Sequence, residues 1–117
     1  MMTDLYLRHT DRGALIAALA ALSLLDVDGH MLPELGAMAE IGPMHRDLPA
    51  DAAPDAVPEL VTDAEGVPFY HINVRLQGDL AGAADRATAA GADPAAVAAA
   101  VALLDQPPPV TPRQVWL

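Results

Sequence analysis

FYHINVRLQGDL, residues 69–80, is the stretch on which the fold turns. It is rich in β-branched and aromatic residues, the types that suit a pleated, half-buried strand. Side chains alternate along a strand, so Tyr70, Ile72, Val74 and Leu76 share one side and Phe69, His71, Asn73 and Arg75 the other. The first set is a continuous apolar face, which predicts a central strand with the core beneath it. The second set admits two readings. His71, Asn73 and Arg75 at two-residue spacing would neighbour one another, as an acid–base group or an anion clamp requires. The plainer reading is the solvated face of a sheet covered by helices on its other side, and that is the expectation here.

Working outward, DLYLRH at 4–9 alternates Leu5 and Leu7 with Tyr6 and Arg8 and reads as a short strand. Thr10 offers a hydroxyl cap and Asp11 a negative charge in the first turn of a helix over 11–25. Leu15, Ile16, Leu19 and Leu22 form its heavy face, and Ser23 falls inside it. DVDGHMLPEL, 26–35, carries Asp-Gly turn chemistry. A calcium loop starting at Asp26 would need glycine and glutamate where Met31 and Ala37 stand, so an ordinary turn is the reading. AMAEIGPMHR, 37–46, predicts a second strand that Gly42 and Pro43 end early or push to an edge.

Residues 47–68 are rich in proline and acid and cannot build a core. They read as a loop or projecting ribbon, with TDAEG as its turn and Gly66 at the position needing positive φ. Beyond the central strand, 79–91 predicts a helix stopped by Gly91. Asp93-Pro94 starts another, in which Val97, Val101 and Leu104 form a stripe. PPPVTP then stiffens the approach to a final strand, RQVWL, so that 105–117 forms a proline-stiffened C-terminal element.

The whole is expected to be a single α+β domain over 1–117, with a small, mostly antiparallel sheet and helices on one face. The order strand-helix-strand-strand-helix-strand admits a ferredoxin-like topology. A chain of 117 residues supports one modest core. Although 53% of it is hydrophobic, much of that is alanine, so the core rests on Leu, Ile, Val and Met and is thin.

The formal charge is −10, with six arginines placed singly and no lysine. Phosphate binding needs clustered positive charge, so neither nucleic acid nor an anionic membrane surface is an expected partner. The apolar run 14–25 is too short for a membrane span and reads as a core helix. There is no cysteine, which removes disulfides, thiol nucleophiles and thiolate-bound zinc. The four histidines lack zinc-site spacing, and no phosphate loop, dinucleotide fingerprint or nucleophile elbow is present. Catalytic residues, cofactors and metals are therefore all expected to be absent. At the C-terminus, Arg113, Val115 and Trp116 offer either a strand closing this domain's own sheet or an anchor on a partner, tryptophan being a frequent one.

MTDLYLR at 2–8, FYHINVRL at 69–76 and PVTPRQVWL at 109–117 together resemble small proteins of tailed bacteriophages and prophages encoded near tail-tip or tail-fibre genes. The match covers both ends and one strand, in order. The alanine-rich 79–104 region is longer than that pattern, and Gln114 stands where a basic residue or proline would be typical. The resemblance implies a non-enzymatic minor component of a tail tip, baseplate or fibre-attachment region. Its partners would be other tail or fibre proteins, with a homo-oligomer within a symmetric assembly as one arrangement, and its location the virion tail, assembled in the bacterial cytoplasm. Two alternatives are a fibre-assembly chaperone absent from the finished particle, and a small ligand-binding or enzymatic domain using His71, Asn73 and Arg75.

Overall fold

The structure, a computed structural model, describes residues 1–46 and 48–107. Strand β1 (Met2–His9), helix α1 (Arg12–Ala21), strands β2 (Gly36–Gly42) and β3 (Tyr70–Gln77), and helices α2 (Leu80–Ala89) and α3 (Pro94–Leu104) follow in that order. The sheet runs β1-β3-β2, with β3 antiparallel to both neighbours. FYHINVRL is thus the central strand, and the fold is the expected α+β arrangement of antiparallel sheet and helices. A ferredoxin-like sheet has a fourth strand. The one expected here, with Arg113, Val115 and Trp116, lies outside the described residues.

The core forms where the apolar sides of sheet and helices meet. Leu7, Ile72, Val74 and Leu76 from the strands close on Leu15, Leu19, Leu22 and Leu24, and on Ala83, Ala87, Val97, Ala100 and Leu104. In α1 the buried positions Leu15, Ala18 and Leu19 keep the three- and four-residue spacing of one helical face. In α2 only alanines are buried, and small side chains let that helix approach α3 closely.

Local chemistry sets the helix ends, with two departures from expectation. Asp11, not Thr10, caps α1, its carboxylate accepting from the Gly13 amide at 2.9 Å. The helix also stops at Ala21, four residues early. Ser23 lies beyond its end at φ 57°, the Ser23 amide donates to Ala20 O and the Leu24 amide to Leu19 O, and Leu24 is fully buried. This is a Schellman end, in which a left-handed residue lets the chain turn back and bury the leucine that follows. Serine occupies a position that favours glycine. Ser23→Gly is therefore expected to raise stability by up to about 1 kcal/mol, read as an increase in urea midpoint, with part of the gain offset by glycine's freedom in the unfolded chain.

The Asp93 cap follows the expectation, and Asp79, not singled out from the sequence, caps α2. Asp79 accepts from the Gly82 amide at 2.8 Å, and Asp93 precedes Pro94 in the first turn of α3. In the DVDGH turn, the Asp26 carboxylate accepts from the amides of Asp28 and His30, and Leu25 bridges Met31.

Strand β2 ends at Gly42 with an irregular register between Glu40 and Gly42. From there the chain leaves the sheet as a proline-rich excursion that returns at Phe69. It doubles back on itself: the Val61 amide donates to Met44 O, Arg46 to Glu59 O and Phe69 to Val61 O. Its tip is the expected turn, with Gly66 at φ 83° and the Asp63 carboxylate accepting from the Glu65 and Val67 amides. The pairing consists of isolated bridges at His45–Leu60 and Thr62–Pro68, so this is a loosely paired ribbon.

Candidate functional site

The candidate residues lie on the side of β3 away from the helices. Register places Arg8 opposite His71, Tyr6 opposite Asn73 and Asp4 opposite Arg75 on β1, with Gly42, Ala39 and Ala37 opposite the same three on β2. The Arg8 amide and carbonyl are engaged outward by the Gln106 side chain, at 2.9 and 3.1 Å. Arg8 and His71 therefore form a non-hydrogen-bonded antiparallel pair, the kind that brings facing side chains closest.

The expectation of a solvated face is overturned at two of its three positions. His71 is 3% exposed and Asn73 is fully buried; only Arg75 reaches the surface. Position in the central strand does not suffice, since Arg75 is flanked by Asp4 and Ala37 and stays exposed; the particular neighbours differ. Asn73 lies between Tyr6 and Ala39, and His71 between Arg8 and the Gly42 bend.

His71 and Arg75 are each directed to a partner of their own. Arg75 is held by Asp4 in a two-pronged pair, Nε to Oδ1 at 2.7 Å and Nη2 to Oδ2 at 3.1 Å. His71 turns the other way, its Nδ1 2.9 Å from Gly42 O. A carbonyl can only accept, so Nδ1 carries the hydrogen. The Phe69 ring meets the imidazole edge-on, with centroids 6.4 Å apart, and the Arg8 guanidinium lies 4.4 Å over the Phe69 ring. Arg113, Val115 and Trp116 lie outside the described residues.

A second polar group, invisible in the sequence, sits on the helix side of the sheet, where Glu40 stands opposite Ile72. Glu40 accepts from Arg12 Nε at 2.6 Å and from the Tyr70 hydroxyl at 3.0 Å, joining α1, β2 and β3. Tyr70 keeps its ring against the core and its hydroxyl on this carboxylate. Asp26, Asp28 and His30 also bring potential ligand atoms within 4.8 Å of one another, but all three are exposed and the Asp26 carboxylate is already engaged by its own turn.

Two of these groups make stability depend on pH in the same direction. Burial pushes the His71 imidazole down from its ordinary 6.5; Arg8 adds to this, and the hydrogen bond to Gly42 works against it. The Arg12 hydrogen bond holds Glu40 below its ordinary 4.5, against partial burial. In both cases the unfolded chain binds the proton more tightly, so the folded state loses stability on acidification. The expected profile has two descents in denaturation midpoint, one beginning near pH 6.5 and continuing to the lowered folded-state value of His71, the other beginning near pH 4.5. A midpoint that stays flat through the upper window would contradict the environment described for His71.

No protein family, curated protein or solved structure matches the chain. Among the described residues, no helix is long and apolar enough to cross a membrane.

Proposed function

We propose that this chain is a non-catalytic, phage-like tail protein acting through protein–protein contacts, as a minor component of a tail tip, baseplate or fibre-attachment region. The structural observation supporting a contact role is the ribbon. Leu48, Val57, Leu60 and Val67 stand exposed along it, Val57 at 80%, on a segment held to the domain by few bonds. Exposed apolar side chains along an acidic segment suit a surface that a neighbour covers. The phage setting rests on the resemblance of residues 2–8, 69–76 and 109–117. The non-catalytic reading is supported by the divergence of His71 and Arg75, each directed to its own partner within the fold.

The test is co-expression of the tagged chain with the products of its neighbouring genes, followed by affinity capture, and mass spectrometry of purified particles. A tail or fibre protein recovered in fixed ratio, and lost when Val57 and Val67 are both changed to aspartate, is the expected result. Presence in finished particles marks a structural component. Capture without presence in particles marks an assembly chaperone. A monomer that binds none of these proteins overturns the proposal.

A further inference from the structure

His71 sits where the ribbon joins the sheet. Its hydrogen-bond acceptor, Gly42 O, belongs to the last residue of β2, which turns out of the sheet at φ 82°. Its ring neighbour, Phe69, is the residue at which the ribbon returns, tied by its amide to Val61 O. One imidazole thus touches both ends of the 43–69 excursion, which is held together by the three bonds Val61–Met44, Arg46–Glu59 and Phe69–Val61.

We propose that His71 is an acid-sensitive latch, holding the ribbon against the sheet while the ring is neutral and releasing it when the ring takes up a proton. Around the ring, loss of water and the Arg8 charge oppose protonation, and backbone hydrogen bonds to Gly42 and Phe69 offset them only in part. From β1 it meets the Arg8 guanidinium, a like charge. From β2 it meets the Gly42 carbonyl, already satisfied by the neutral ring's Nδ1–H. From the residue just before its own strand it meets Phe69, whose ring lies edge-on and whose backbone hydrogen bond favours the charged form. No carboxylate among the described residues acts on it. A charged imidazole in this place lacks both water and a counterion, whereas lifting the ribbon root would let water reach it. The core side of β3 is not involved, because Ile72, Val74 and Leu76 face the helices. Opening can therefore be confined to the ribbon while sheet and helices stay packed. This inference does not depend on the proposed function and would hold for any role of the ribbon.

The experiment is amide hydrogen exchange by NMR on the full chain between about pH 7 and about pH 5, with rates corrected for intrinsic exchange. In the wild type, the Arg46, Val61 and Phe69 amides are expected to be less protected than those of Ile72 and Val74, and to lose protection severalfold on acidification. In His71→Gln they are expected to show no such dependence, while His45→Gln, on the ribbon but exposed, retains it. Ribbon amides whose protection is independent of pH, or which open only together with Ile72 and Val74, overturn the latch. So does a dependence that persists in His71→Gln. Should that variant not fold, the wild type decides: loss of protection must follow the titration of the His71 ring. Loss that instead follows His9, whose Nδ1 accepts from the Asp11 amide at 2.9 Å, overturns it as well.

Discussion

Gly36→Ala is expected to cost at least about 4 kcal/mol and to leave most of the chain unfolded. Gly36 opens β2 at φ 156°, against the backbone of β3. A methyl group there would run into the carbonyl oxygen of Arg75, well inside contact distance, and would stand 3.0 Å from its carbonyl carbon and 3.3 Å from Leu76 Cα. All three are backbone atoms of the central strand, so no side chain can swing away. Relief requires β2 to move off β3, which separates Met38 from Val74 and breaks the bond from the Gln77 amide to Leu35 O. The comparison is Gly66→Ala, at φ 83° with nothing within 4 Å, where the change meets only backbone strain of about 1–2 kcal/mol. Far-UV circular dichroism and urea denaturation measure both. Equal, small effects would show that β2 does not lie against Arg75 in this register.

Ile72→Ala is expected to lower stability by about 2–5 kcal/mol and the melting temperature by on the order of 10 °C or more. Ile72 is fully buried at the middle of the central strand, opposite Leu7 on β1 and under the α1 leucines. Apart from its leucines, isoleucine and valines, this core is built largely from alanine, which has little surface to contribute. A cavity at Ile72 would be lined by side chains from several elements, Leu7 among them, that cannot collapse into it together. Val27→Ala, at a fully exposed turn position, is expected to leave the midpoint unchanged. A loss at Ile72 below about 1 kcal/mol would mean that the helices are not packed on β3.

Several elements were legible from short stretches because their causes are local. Asp93-Pro94 starts α3, Gly42 with Pro43 ends β2, Asp63 with Gly66 makes the ribbon tip, and the alternation in 70–76 marks a strand. Other features were misread where the deciding partner is remote. The early end of α1 follows from Leu24 being drawn into the core, which requires Ser23 to take a left-handed conformation. Periodicity within 11–25 contains no trace of that demand. Asp11 displaced Thr10 as cap for the simpler reason that either side chain can accept from a first-turn amide.

The candidate site divides in the same way. That His71, Asn73 and Arg75 share a side of one strand follows from a two-residue period, and the sequence alone determines it. Their surroundings depend on which residues of β1 and β2 stand opposite, and that register joins positions as far apart as Asp4 and Arg75. Register is chosen by the packing of a whole apolar face, since a slip of one residue would turn Ile72, Val74 and Leu76 away from the helices. Only the tertiary structure could therefore give Arg75 its carboxylate, bury Asn73 between Tyr6 and Ala39, and set His71 against Gly42 at the root of the ribbon.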